Sequence, residues 1–256
     1  MIKHTSAQAS HYDKESSSYD ALNEQNSTTI NTFLEQLFTK HAVSTIADFT
    51  CGTGSQVFWL TTKGFTVIGS DINANMLAIA QEKAEQKNLD ISFILGDMRT
   101  TKLGTFDAAI TIFNSIGHLT VEDFKTTLKN IHSQLKPSGL YVFDIFNLNY
   151  LLEGNNITKL TIDWQTKTEN STVREIQYST ISHDGVLASY DIYYEQKNNE
   201  TPQIWQAFQT LQVYSAQQLK ELLQAYGFAI IQQCNMDGSD FHDTMSERIV
   251  TVAQKI

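Results

Sequence analysis

The chain has 256 residues, 41% of them hydrophobic, with 18 basic and 28 acidic side chains giving a net charge of −10 when histidines are neutral. That length suits one α/β domain with an insertion and is enough to bury a substantial core. No lysine or arginine cluster offers phosphates a basic surface, no apolar run nears membrane-spanning length, and Met1–Ser10 lacks a signal peptide's apolar stretch. Neither nucleic acid nor a membrane is therefore an expected partner. Residues 1–29 are polar and rich in Ser and Thr, with Tyr12 and Tyr19 each followed by an aspartate, and on composition they form a loosely ordered arm. Ile30, Phe33, Leu34, Leu37 and Phe38 recur at three- and four-residue spacing, which predicts a helix over 30–40.

The next stretch organises the rest. Ile46-Ala47-Asp48-Phe49 is an apolar run ending around an acid, Thr50-Cys51-Gly52-Thr53-Gly54 is a tight turn, and Val57 to Lys63 is helix-like. In a doubly wound sheet this is the first strand, its turn and the next helix, where ligands sit outside the carboxyl ends of the strands. A dinucleotide fingerprint needs a third glycine, and Val57 stands there. Asp48 would repel a pyrophosphate but suits an ammonium group. A ligand with a cationic amino acid at one end and a ribose at the other fits, and S-adenosylmethionine is such a ligand. Here the chain resembles the class I S-adenosylmethionine-dependent methyltransferases, whose first motif runs acid-x-Gly-x-Gly-x-Gly, and departs from it only with Thr50 in place of the first glycine. The resemblance implies a Rossmann-like seven-stranded α/β sheet, with Asp48, Cys51, Gly52, Thr53 and Gly54 around the cofactor.

Phe65 to Asp71 predicts a second strand. Asp71 lies 19 residues after Gly52, the distance at which such folds present a carboxylate to ribose hydroxyls. The competing reading is a helix N-cap for the amphipathic segment 75–87. Ile91–Leu95 is a third strand leading into Gly96-Asp97-Met98-Arg99. The resemblance puts Ile72, Met76, Asp97 and Met98 around adenine, while Arg99 reads as a solvated or pairing residue. Phe106–Phe113 predicts the fourth strand, delivering Asn114-Ser115-Ile116-Gly117-His118-Leu119 at its carboxyl end. Thr120-Val121-Glu122-Asp123 has a capping-box pattern opening a helix to about Leu135, which Lys136-Pro137-Ser138-Gly139 ends before a buried strand from Leu140 to Phe146.

From Asn147 to Tyr214 polar residues alternate with aromatic and β-branched ones, with turn signals at His183-Asp184-Gly185 and 197–202, predicting three or four antiparallel strands. Ser215-Ala216-Gln217-Gln218 is a second capping box, its helix stopping at Gly227, and segments 229–233 and 248–253 are the last strands. The expected division is an arm and helix at 1–40, a cofactor-binding core at 41–149, an antiparallel β insertion at 150–214 serving as a lid or homodimer surface, and completion of the core sheet at 215–256. Cys51 and Cys234 lie far apart, which argues against a structural disulfide and for a cytoplasmic chain, and the seven histidines have no metal-ligand spacing.

The loop from Phe113 to Leu119 is similar to that of small-molecule N-methyltransferases, namely the glycine/sarcosine and nucleotide-sugar N,N-dimethyltransferases. The resemblance implies methyl transfer from S-adenosylmethionine to a small-molecule acceptor, with an amine nitrogen favoured. It also implies that the arm folds over the cofactor and offers Tyr12 or Tyr19 to the site, and that Asn114 touches the cofactor's methionine end or the substrate. His118 is the candidate to accept or orient the amine's proton, because imidazole titrates in the right range; a helix-bridging histidine is the plainer alternative. Methylation of oxygen or of a macromolecule, and a non-catalytic cofactor-binding module, are the competing readings.

Overall fold

The computed structural model describes residues 2–12, 19–198 and 200–256, with side chains for all of these except 11–26. Helix α1 (Tyr19–Lys40) precedes strand β1 (Thr45–Asp48), α2 (Ser55–Thr62), β2 (Thr66–Asp71), α3 (Ala74–Gln86), β3 (Ser92–Leu95) and β4 (Phe106–Thr111). Then come α4 (Val121–Gln134), β5 (Leu135–Phe146), α5 (Leu148–Leu152), four strands β6 (Ile162–Lys167), β7 (Ser171–Ile181), β8 (Val186–Lys197) and β9 (Gln203–Gln212), α6 (Ala216–Ala225), β10 (Phe228–Cys234) and β11 (Arg248–Lys255). The main sheet has seven strands in the order β3-β2-β1-β4-β5-β11-β10, and β6 to β9 form a separate four-stranded antiparallel sheet. Strands β1 to β5 pair in parallel, while β11 runs antiparallel to both β5 and β10. The doubly wound sheet and the antiparallel addition expected from sequence are both present.

Alternation along the strands explains why helices cover both faces. In β1, Ile46 packs with Leu34, Leu60 and Leu77 on one side, and Ala47 packs with Phe124, Leu128 and Tyr141 on the other. Successive side chains point to opposite faces, so a strand buried on both reads as an unbroken apolar run. Val57 is fully buried among the first group, which is why the turn before α2 carries no third glycine. Cys51 and Cys234 are buried and free, and among the described residues no helix is long and apolar enough to cross a membrane.

Three elements differ from the sequence expectation. Helix α1 begins at Tyr19, eleven residues before Ile30, because its first turns carry no apolar stripe for periodicity to register. The Lys136–Gly139 segment is not a helix stop before the strand but part of β5, which pairs Leu135 with Phe106 and then shifts register to pair Leu140 with Ala108. Ser138 takes up the extra length at φ 61°. At α4 only half of the capping box forms: Thr120 Oγ1 accepts from the Asp123 N–H at 3.2 Å, but the Thr120 N–H goes to Ser6 Oγ at 2.9 Å. The Ser215–Gln218 box, by contrast, is complete.

Candidate active site

The crevice opens where the strand order reverses, between β1 and β4, at the carboxyl ends of the parallel strands. A pocket partly open to solvent is walled by Phe49, Thr50 and Gly52 after β1, Asp71 to Asn73 at the end of β2 with Met76 of α3, and Gly96 to Arg99 after β3. Phe113, Ser115, His118 and Leu119 after β4, and Ala7 to Ala9 of the arm, complete the wall.

Two carboxylates organise the near end. Asp71 Oδ2 accepts from the Gly52 N–H and Oδ1 from the Asn73 N–H, both at 2.8 Å, so β2's tip holds the turn after β1 in place. Gly52 can meet it because it sits at φ +52°, a left-handed conformation that costs glycine little. Asp71 therefore does not cap α3; Asn73 does, accepting from the Met76 N–H at 2.9 Å. Asp48 lies one layer beneath the wall, 1% exposed, with Oδ1 taking the Thr50 N–H at 3.1 Å. Burial pushes its carboxyl up to about 8; the Thr50 N–H draws it down and the Asp71 charge adds to the rise. Asp71 is raised too, by burial against the pull of three backbone N–H groups. Burial, then the charges of Asp48 and Asp71, keep the Cys51 thiol well above its ordinary range.

Asp48 Oδ2, Thr50 Oγ1 and Ser70 Oγ, all at the tips of β1 and β2, are buried without a hydrogen-bond partner among the described residues. Unpartnered buried acceptors are costly, and a carboxylate pair raised by burial gains most from an arriving positive charge. On the wall itself the Asp71 and Asp97 carboxylates are acceptors for a ligand's hydroxyl and amine donors, so the lining fits S-adenosylmethionine. Residues 46–139 match the family described as Methyltransferase domain. Over 217 residues the chain is 29% identical to YqeM of Bacillus subtilis, a protein named as a methyltransferase, covering 82% of this chain and 83% of that one.

Residues 46–139 are thus a methyltransferase domain of the S-adenosylmethionine-dependent type.

The methyltransferase is also 31% identical to a glycine/sarcosine N-methyltransferase of Parasynechococcus marenigrum, over 50% of this chain and 46% of that one. It is 33% identical to the dTDP-3-amino-3,6-dideoxy-alpha-D-glucopyranose N,N-dimethyltransferase of Streptomyces fradiae, over 43% and 44%. In fold it resembles the S-adenosylmethionine-dependent methyltransferase of Clostridium acetobutylicum at a TM-score of 0.76, with 17% identity, covering 95% of this chain and 98% of that one.

Of the residues singled out from sequence, Gly52, Asp71, Ile72, Met76, Asp97, Met98 and His118 line this one pocket. Asp48, Cys51, Thr53, Gly54 and Asn114 stand behind it. Gly54, at φ +92°, leads the chain into α2, and Asn114, at φ 59°, turns its Oδ1 to the Phe146 N–H at 2.9 Å, tying β4's tip to the end of β5. The Asp144 carboxylate, fully buried, braces the same tip by accepting from the Phe113 N–H at 2.6 Å and from Arg248 Nε at 3.0 Å. Tyr12 and Tyr19 have side chains outside the described residues. Sequence reasoning passed over Asn73, Phe113 and Ser115, and set Arg99 aside although it lies on the wall. Asn73, two residues after the strand-tip acid, carried a signal in its capping chemistry.

Proposed function

We propose that this methyltransferase methylates an amine nitrogen of a small molecule, with His118 as the group that takes or orients the amine's proton. The observation that carries the reading is that His118 and Asp71 line the same pocket, His118 with Phe113, Ser115 and Leu119 on the segment after β4. The glycine/sarcosine and aminosugar relatives, whose names specify nitrogen as the acceptor atom, support it. In this reading Asp48 and the turn Cys51-Gly52-Thr53-Gly54 hold the cofactor's amino-acid end, Asp71 its ribose, and Ile72, Met76, Asp97 and Met98 its adenine, with Asn114 shaping the far end from behind. The bound cofactor supplies an activated methyl on a sulfonium. The chain's part is to align the acceptor, exclude water and keep its nitrogen unprotonated, because an ammonium has no lone pair.

Arg99 is the one Lys or Arg side chain on the wall among the described residues, and Asp97 and Asp123 take three of its five N–H groups. Segment 150–214 we read as an insertion that covers the site or pairs with a second copy. Trp164, Tyr178, Ile204, Trp205 and Phe208 on its sheet are each at least 40% exposed, which supports such a role.

The test is methyl transfer to a panel of neutral amines, amino acids and nucleotide aminosugars, with His118→Ala and His118→Gln beside the native chain. Turnover of the accepted amine should fall about 10²- to 10⁴-fold in either variant, while the affinity for S-adenosylhomocysteine stays within about twofold, a change under ~0.5 kcal/mol. Unchanged turnover at saturation, or transfer to oxygen acceptors alone, would overturn the assignment.

A further inference from the structure

One polar network reaches from the nucleobase side of the pocket to the amino-terminal arm. Arg99 Nε donates to both oxygens of Asp97, at 3.0 and 2.9 Å, and Nη2 donates to Oδ2 at 2.5 Å. The backbone N–H of Arg99 adds a bond to Asp97 Oδ1 at 2.8 Å. Burial would raise the Asp97 carboxyl, but the Arg99 side chain and N–H outweigh it and hold it below its ordinary value. The guanidinium's other arm, Nη1, donates to Asp123 Oδ2 at 2.8 Å in the first turn of α4. That same oxygen accepts from Ser6 Oγ at 2.5 Å, and Ser6 Oγ in turn accepts the Thr120 N–H.

Ser6 is where the arm meets the pocket. The next residue, Ala7, donates its N–H to the His118 carbonyl at 2.9 Å, and the Ala9 carbonyl accepts from Asn73 Nδ2 at 2.7 Å. The strip from Ser6 to Ala9 is thus fastened at one end through Asp123 to Arg99 and at the other to Asn73. Both fastening points lie on the pocket wall. A single exposed ion pair is worth little, but a guanidinium that engages two carboxylates with three of its nitrogens is a shared geometric element: move it and both partners move.

We propose that Arg99 is a positioning residue that makes Asp97 and the arm act as one unit: it fixes the Asp97 carboxylate to receive the nucleobase amine and, through Asp123 and Ser6, holds the arm over the pocket. Cofactor occupancy then orders the arm, and by reciprocity arm contact tightens cofactor binding. The proposal uses no acceptor, so it stands or falls separately from the assignment of an amine.

The experiment uses the full chain with S-adenosylhomocysteine as ligand. Binding is measured by calorimetry, and amide exchange is followed over residues 2–9 and 118–120, in the native protein, Arg99→Gln, Arg99→Lys, Ser6→Ala and the Arg99→Gln/Ser6→Ala pair. In the native chain the ligand should slow exchange across the arm. In Arg99→Gln that slowing should vanish and affinity should drop about tenfold, within the usual span of coupling between sites. Arg99→Lys, which keeps the charge but not the fork, should behave like Arg99→Gln. Ser6→Ala should weaken binding about threefold, and the double variant should bind no worse than Arg99→Gln alone, because both cut one chain of contacts. Ser6 lies on the surface arm, so its variant folds and carries the test even if an Arg99 variant does not. Additive losses, or an arm still protected by ligand in Ser6→Ala and in Arg99→Gln, would overturn the proposal. A purely structural Arg99 would lower the melting temperature without touching that protection.

Discussion

Replacing Asp48 by asparagine should change how stability depends on pH more than stability at any one pH. The native carboxyl is fully buried and titrates near 8, against an ordinary value of 3.8. Between those two values the folded chain holds a proton that the unfolded chain has released, so native stability is greatest below pH 4 on this account and falls as pH rises through 8. The slope for one proton is about 1.4 kcal/mol per pH unit, so about 3 kcal/mol is lost between pH 5 and pH 7. The substituted amide has the same shape, keeps an oxygen for the Thr50 N–H and does not titrate, so this component disappears. Urea unfolding of both proteins at pH 5, 6 and 7, read as native minus variant, isolates it, since Asp71 is present in both. Saturating S-adenosylhomocysteine should flatten the native curve, because its ammonium favours the ionised carboxylate, and binding calorimetry in two buffers should register proton release. Parallel stability curves for native protein and Asp48→Asn would show that Asp48 is already ionised in the empty protein, and the electrostatic account of the turn would fail.

Asp144→Ala should cost about 3–5 kcal/mol in the same unfolding assay, because it strands the Arg248 guanidinium and the Phe113 N–H around a fully buried position; turnover should fall as well, since the β4 tip loses its brace. Asp144→Ala together with Arg248→Met should be less damaging than Asp144→Ala alone, and an equal or larger loss would argue that the pair is not what holds the tip. Gly185→Ala should unfold the protein far more readily than Gly64→Ala. Both glycines have positive φ, at +85° and +93°, but a Cβ on Gly185 would collide with the Val213 carbonyl oxygen and lie 2.7 Å from Gln212 Nε2, whereas one on Gly64 meets nothing within 4 Å. Strain alone sets the Gly64 penalty at about 1–2 kcal/mol, and equal losses in thermal melts would contradict the packing of the β7–β8 turn against the strand end.

The strand-tip residues were legible because the backbone leaves its demands in composition: a glycine where φ must be positive, and an acid at a fixed distance where a neighbouring strand ends. For Gly52 and Asp71, the 19-residue separation read as a carboxylate presented to a ribose, and in the structure Asp71 also takes the Gly52 N–H. What was not legible is which face of a strand tip a side chain takes. Asn114, a ligand contact on the loop's resemblance, has an αL backbone and takes the Phe146 N–H on its Oδ1, a tie to β5 that no local pattern announces. Asp123 had the spacing of a capping-box partner for Thr120. Its carboxylate is held by Arg99 and Ser6, contacts spanning 24 and 117 residues that no local pattern encodes.

The arm's place over the pocket follows from the length of α1, which the apolar periodicity understated. Helix α1 runs beside α2 in the same direction: Asn31 meets Gln56 and Ser55 at the start of α2, and Glu35 meets Trp59 and Lys63 further along. Since α2 descends from the carboxyl edge of the sheet, α1 descends too, and its last turn feeds β1 at the opposite edge. Eleven residues, the length suggested by Ile30 to Lys40, would span only about 16 Å; the full 22 residues span about 33 Å at 1.5 Å per residue. The extra turns carry the chain's start past the carboxyl edge, where β1 to β4 present their ligand-facing loops. Residues 6–9 can therefore reach Asn73 on one side and Asp123 on the other. The polar first turns of α1, which leave no mark in the apolar pattern, thus set which end of the sheet the arm can cover.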